Sequence, residues 1–438
     1  MRLQLTEEQI IDLAPDEPSK KAGRDLANSA KWVSLGISEL ALWGECKGSG
    51  SKPYQTQVDL IGIAFKCSCP SRKFPCKHAL GLLLLCARQP DLFKDQELPL
   101  WVNDWLSKRT EKAVSKTEKA DKPVDEVAQA KRQEAREKKV VEGINELMLW
   151  IKDIVRNGIL GIPEKDAAFW DNMSRRMIDA QATGLASMVK KLGATNFWNE
   201  GWQSGFLDSL LQLYLIAESY QRLPTINQLL QLDIRSSIGF TVNQEELKQQ
   251  EGLHDIWLVL GKNSREEQQL RIEENWLYGT VTNRYAQVLQ FIAPGQTNQL
   301  TLTPGTFLEA EVVYFPSALP YRALIKTQTT TTTPIDHALA YFSGWQQIAQ
   351  EESALNSRLP FRNEMPFIVD ALKPVQYQGS WWLQDQDGCL GKISLNFESI
   401  WQLLAISGGE PMAMAVIGKE NQYCPIGIWH LERYKPLK

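Results

Sequence analysis

With 438 residues the chain exceeds what one compact core usually serves, so two to four domains are expected. Hydrophobic residues make up 43% and charged residues 23%, and the formal net charge of -4 excludes a protein built as a whole to coat nucleic acid. The charge is uneven: residues 1–106 are balanced, residues 107–141 carry about +4 and the remainder about -8, so any contact with nucleic acid would be local.

The N-terminus, MRLQLTEEQIIDLAPDEPSKKAG, mixes acids with isolated aliphatics and lacks the continuous apolar core of a secretory signal. The longest apolar run, Ala79 to Ala87 broken by Gly81, is far short of the roughly 20 residues a membrane-spanning helix needs. A cytoplasmic protein is the expectation. The seven cysteines, an odd number, read as reduced thiols available to a metal and not as a disulfide framework.

Chemistry concentrates in FKCSCPSRKFPCKHALGLLLL, residues 65–85. Cys67, Cys69, Cys76 and His78 form C-x-C-x6-C-x-H, four donors within twelve positions. Thiolates at i and i+2 of an extended strand share a face, so one strand end can present both to a single ion. Upstream, Tyr54, Val58 and Leu60 alternate, and Ile63 and Phe65 continue in phase with the cysteines, which places a turn or bulge at Gly62. The loop PSRKFP returns the chain to an apolar helix reaching about Arg88, at whose mouth sit Cys76 and His78. Four N/S donors suit the closed tetrahedral shell of structural Zn2+, which leaves no position for water or substrate. Cys86, two helical turns past His78, lies too far along the axis to join them and reads as core, whereas geometry does not exclude Cys46.

Lys47, Lys52, Lys66, Arg72, Lys73 and Lys77 surround the motif, with Tyr54, Phe65 and Phe74 among them. They make either a nucleic-acid surface, through phosphate neutralisation and base stacking, or a solvated face around a metal core into which Phe65 and Phe74 pack. Arg72, Lys73 and Lys77 are the candidate partner contacts.

Beyond the motif, residues 107–141 have dense mixed charge, no aromatics and almost no large aliphatics, and read as a solvated linker with a helical second half. From Glu142 to about Leu232 the pattern is helical; in DNMSRRMIDAQATGLASMVKKLG the residues Met173, Met177, Ala180, Leu185, Met188 and Leu192 line one side as core. A bundle of four or five helices follows. After Asp233, short alternating runs such as NWLYGTVTNRYAQVLQFIAPG read as antiparallel strands. TQTTTTTPID, residues 327–336, reads as an extended spacer leading to a helix that starts at Asp336, and a second strand-rich segment completes the chain.

No G-x-S-x-G, G-x-x-x-x-G-K-[ST], G-x-G-x-x-G or H-E-x-x-H occurs. His254, His337 and His430 stand singly, and Asp385 and Asp387 in LQDQDG read as a solvated turn, so no catalytic site is expected.

C-x-C-x6-C-x-H followed by CKHALGLLLL resembles the SWIM zinc finger, and the lead-in WGECKGSGSKPYQTQVDL and the block MIDAQATGLASMV resemble bacterial proteins that carry it. The resemblance implies zinc on Cys67, Cys69, Cys76 and His78 and a role in binding DNA or protein. It also implies a partner among MoxR-type AAA ATPases or von Willebrand A-domain proteins. CSCPSRKFPC is similar as well to the CDGSH iron-sulfur motif, but Lys77 follows Cys76, the Asp-Gly pair is missing and the histidine comes two residues on instead of four.

The expected fold class is α+β and multidomain: a ββα-like zinc-finger domain over 1–106, a charged linker over 107–141, a helical bundle over 142–232, a mostly antiparallel β-rich domain over 233–333 and an α+β domain over 334–438. The expected function is that of a zinc-binding, non-catalytic protein-interaction module or adaptor, with DNA binding through the basic finger as the alternative.

Overall fold

The N-terminal sheet is thin, and helices cover both of its faces. In the computed structural model, residues 5–437 are described apart from 49–51, 61–62, 72, 95, 119–125, 268–269, 294–300, 331–338, 340, 362–363, 420 and 432. Helices α1 (Glu7–Asp12) and α2 (Glu17–Leu26) come first, the former closed by a capping box between Thr6 and Gln9. Strands β1 (Trp32–Ile37), β2 (Ala41–Cys46), β3 (Tyr54–Asp59) and β4 (Ala64–Cys67) then form an antiparallel meander in chain order. Helix α3 (Lys77–Arg88) lies on one face with Leu42, Cys46 and Val58, while Ala41 and Trp43 on the other face meet Val102 of α4 (Leu100–Glu118).

The sequence pattern predicts that α3 buries one aliphatic side, yet every residue from His78 to Cys86 is buried. A helix apolar all round must be enclosed, and α1 and α2 close over the side turned away from the sheet. Close approach depends on Gly81, where a Cβ would stand 2.6 Å from Leu26 Cβ and 3.2 Å from the Gly23 carbonyl oxygen.

Two helices occupy most of the expected linker: α4 runs to Glu118 and α5 (Glu126–Asn157) resumes beyond it. Ala, Gln, Glu, Arg and Lys are strong helix formers, so AKRQEAREKK winds without an apolar stripe, and most of residues 131–139 stay exposed. The apolar core starts at Val140 and continues through α6 (Ala167–Asp179), α7 (Thr183–Gly193), α8 (Trp202–Gln221) and α9 (Gln228–Ile238).

The stripe from Met173 to Leu192 is therefore split between two helices. Ala182 N–H reaches back to Met177 O while Gln181 turns left-handed (φ 60°), which ends α6 in a Schellman-type stop. Nor does the helical region close at Leu232. Asn227 caps α9, which runs on until Gly239 (φ 121°) stops it, and α10 (Gln244–Lys248) follows.

Strands β5 (Leu253–Glu267), β6 (Leu270–Gly279), β7 (Tyr285–Ile292), β8 (Phe307–Tyr314) and β9 (Arg322–Thr330) close a barrel in the order β5-β6-β7-β9-β8. All of its pairs are antiparallel except β7 with β9. This is the five-stranded Greek-key order of OB-type barrels. Thr327 to Thr330, expected in a spacer, pair with β8 instead, since β-branched residues suit a strand. Asp336, the expected helix start, lies outside the described residues. Helix α11 (Trp345–Arg358) begins only after Gly344, because Phe342 pairs with Ile368 and Asp370 through its backbone.

A six-stranded sheet completes the chain: β10 (Met365–Tyr377), β11 (Ser380–Gln384), β12 (Leu390–Lys392), β13 (Met412–Lys419), β14 (Gln422–His430) and β15 (Arg433–Pro436), ordered β12-β11-β10-β13-β14-β15, with α12 (Ile400–Ser407) before β13. Its central strands are apolar on both faces. Phe367, Val369, Met414 and Val416 join the core shared with the bundle, while Ile368, Ala415 and Ile417 pack on Trp276 and Tyr278 of the barrel. Barrel and open sheet thus differ in topology. Trp276 and Tyr278 of the barrel are therefore core, whereas Phe291 of β7 stays exposed.

Candidate metal centre

The β3–β4 hairpin fixes the first pair of donors. Its register sets Cys67 opposite Thr56, and Ser68 extends the ladder by one step through an N–H to Gln55 O at 2.9 Å. Cys69 therefore stands just past the strand end, while Cys67 is its last residue. The expected turn follows Asp59, with Ile63 left-handed (φ 41°); Gly62 itself lies outside the described residues.

The second pair comes from α3. Cys76 is the residue before its first turn, in extended backbone (φ -75°, ψ 166°), and its carbonyl accepts Leu80 N–H at 3.1 Å. Cys76 makes no side-chain cap hydrogen bond, but its place at the start of α3 sets a thiolate there at the positive end of the helix dipole. His78 sits one residue inside.

The four donor atoms of Cys67, Cys69, Cys76 and His78 all lie within 4.8 Å of one another. His78 Nδ1 is 3.7 Å from Cys67 Sγ and 3.9 Å from Cys76 Sγ. A tetrahedral Zn2+ with bonds of about 2.3 Å to sulfur and 2.0–2.1 Å to nitrogen sets such edges at roughly 3.5–3.8 Å. The fit needs only small closure. His78 and Cys76 are buried, Cys67 and Cys69 half-buried, and the Tyr54 ring stands 5.0 Å from the imidazole.

The thiols share protons unequally. Cys67 is held down to about 4, first by its hydrogen bond with Cys76, then by His78 and the Thr56 hydroxyl (3.2 Å), against the opposing effect of burial. The same bond with Cys67, and burial, push Cys76 up; burial raises Cys69. Three thiolates in so small a space repel one another, and a divalent cation resolves the conflict while leaving a net charge near -1.

The remaining candidates divide. Lys73 Nζ is paired with Asp16 Oδ2 at 2.5 Å, and Asp16 also caps α2 through Ser19 N–H. Lys77 is exposed on the first turn of α3, and Arg72 lies outside the described residues. Phe65 packs against the finger core, but Phe74 is 41% exposed and does not cover the ion. Cys46 is buried outside the donor set, its thiol 3.7 Å from Lys47 O, and burial pushes Cys86 up to about 12. No local pattern points to Thr56 and Asp16, whose roles rest on strand register and on a contact 57 residues away. In the C-terminal sheet, Asp385 is buried instead of solvated and accepts the N–H groups of Trp345 and Cys389.

Comparison with known families returns two matches: the SWIM zinc finger over residues 55–87 and the SWIM-associated four-helix bundle domain over residues 135–238. The first spans β3, β4 and nearly all of α3; the second starts within the segment expected as linker and covers α5 to α9. No curated protein and no solved structure matches the chain.

Proposed function

We propose that this chain, which carries a SWIM zinc finger followed by the four-helix bundle domain associated with it, is a non-catalytic adaptor that docks a protein partner on the finger. The observation that carries this reading is the loop between the two donor pairs. Phe74 projects from it, 41% exposed, beside a site whose four protein donors fill a tetrahedral shell. An ion so enclosed has no place for substrate, whereas a loop with an exposed aromatic is a typical anchor for another protein. DNA binding is the weaker reading: Lys73 is paired with Asp16, and Lys47 Nζ donates to Ala30 O at 2.9 Å. The resemblance to bacterial SWIM proteins makes a MoxR-type AAA ATPase, or a von Willebrand A-domain protein, the partner to test. No described helix is long and apolar enough to cross a membrane.

The test is direct binding of the purified full chain to a purified MoxR-type ATPase or von Willebrand A-domain protein from the same host. Binding should be lost on zinc removal and weakened at least tenfold by Phe74→Ser, as for an interface hot spot. Failure to bind either protein, together with salt-sensitive binding to duplex DNA, would replace the adaptor with the nucleic-acid reading.

A further inference from the structure

Far from the metal, the bundle carries a cavity of about 690 Å³ between the exposed start of α5, the end of α9 and the segment 239–242. Its lining includes Arg132, Arg136, Lys139 and Arg235, and no carboxylate. On α5 the spacing is i, i+4, i+7, so Arg132, Arg136 and Lys139 stack on one face. Like charges so placed destabilise a helix unless something neutralises them.

The described residues neutralise little of it. Arg235 Nη2 is paired with Glu137 Oε1 at 2.5 Å, and Glu137 also accepts the Tyr220 hydroxyl, so that carboxylate is committed. Arg136 donates only to carbonyls, Gly239 O at 3.0 Å and Gln181 O at 3.3 Å, which orient it without cancelling its charge. Its Nε is buried and has no hydrogen-bond partner among the described residues. Both guanidiniums sit over the Phe240 ring, 4.2 Å and 4.1 Å from its centroid, so one aromatic side chain holds both cations at the cavity wall. Four cations against one carboxylate leave about three positive charges facing a space of ligand size.

We propose that this cavity binds a small phosphate-bearing anion, a diphosphate group being the best match. Guanidinium forks recognise phosphate oxygens in pairs, and a diphosphate carries roughly the charge that the wall lacks. Phe240, Leu232 and Val242 give the cavity an apolar flank, so the diphosphate is either inorganic or the tail of a nucleotide.

Calorimetric titration of the full chain with inorganic pyrophosphate and, separately, with ADP distinguishes these sources: equal affinities mean that the diphosphate alone is read, tighter ADP binding means that the apolar flank is used. Arg132 and Lys139 are exposed, so Arg132→Glu with Lys139→Glu should leave thermal unfolding nearly unchanged while weakening either ligand by about tenfold or more. Arg136→Lys, which keeps the charge but loses the fork, should also weaken binding. The proposal is overturned if neither probe binds saturably. It is likewise overturned if binding survives the double reversal in a folded protein, or if an oligo-glutamate peptide binds here and both phosphates do not.

Discussion

The finger and the bundle are both apolar at the centre, but they hold together differently. Among the described residues the finger's main cluster contains 14 buried residues, whereas the cluster shared by the bundle and the C-terminal sheet contains 40. A small domain buries a smaller share of its surface and has little to set against ordering entropy, so the finger depends on its ion. The bundle has no such dependence: side chains from seven helices and a sheet interdigitate in the shared core. The difference teaches where each region is vulnerable, one at a point and the other in proportion to lost volume.

The largest effect should come from the point. Structural zinc sites are worth about 10–16 kcal/mol, much of it realised as folding. Chelation, or Cys76→Ser, should therefore abolish amide protection in β1–β4 and α3, and in the part of α4 that packs on Trp43, while α5–α9 keep theirs. Hydrogen exchange followed by mass spectrometry reads this directly, and retained protection in α3 without metal would break the comparison.

In the bundle, Leu213→Ala removes a fully buried side chain and should cost about 2–5 kcal/mol in denaturant unfolding, with zinc content unchanged. Back in the finger, Gly81→Ala drives a Cβ against Leu26 and should cost about 1–3 kcal/mol, appearing as a lower midpoint for zinc-linked unfolding alone. If that change also lowered the bundle's midpoint, the two regions would not be independent.

The smallest effect is electrostatic. The Lys73 ammonium beside Asp16, aided by Ser19, holds the Asp16 carboxyl down to about 2. A depressed carboxyl contributes stability that is present above its ordinary value near 3.8 and is lost as pH falls through about 2. Carboxyl-detected NMR titration should place the Asp16 midpoint near 2 and return it toward 3.8 in Lys73→Ala. This pair is solvent-exposed, so overall stability at neutral pH should barely change.

The metal site was readable because its information is local. C-x-C-x6-C-x-H puts all four donors within twelve residues, and strand period and helix start suffice to orient them. What escaped was set by long-range pairing. Thr56 meets Cys67 only through strand register, Asp16 reaches Lys73 only because α2 lies over α3, and closure of the barrel depends on a parallel pair between β7 and β9 that no local pattern encodes. The charged segment misled for the opposite reason. Its composition predicts solvent exposure, which residues 131–139 mostly show, but composition alone does not distinguish a solvated helix from a coil. The stripe from Met173 to Leu192 is apolar as its spacing predicts but is broken between two helices, since nothing in Gln181 announces a left-handed residue.

Closure of the barrel bears on how this chain meets others. The barrel closes through only two pairs between β7 and β9, so its rim is partly unpaired, and the outer strands of the two open sheets give little edge. β4 has four residues, β12 three, β15 four including Pro436, and the free side of β1 is bridged where Ile37 exchanges backbone hydrogen bonds with Lys94 and Gln96. Among the described residues the two open sheets thus give no long bare strand for an incoming peptide to extend, whereas in the barrel β5 beyond Leu258 pairs mainly with β6 and β9 beyond Ala323 with β8 alone. In the two open sheets the short, bridged outer strands blunt growth by strand addition, so whatever strand edge this fold offers lies on the barrel.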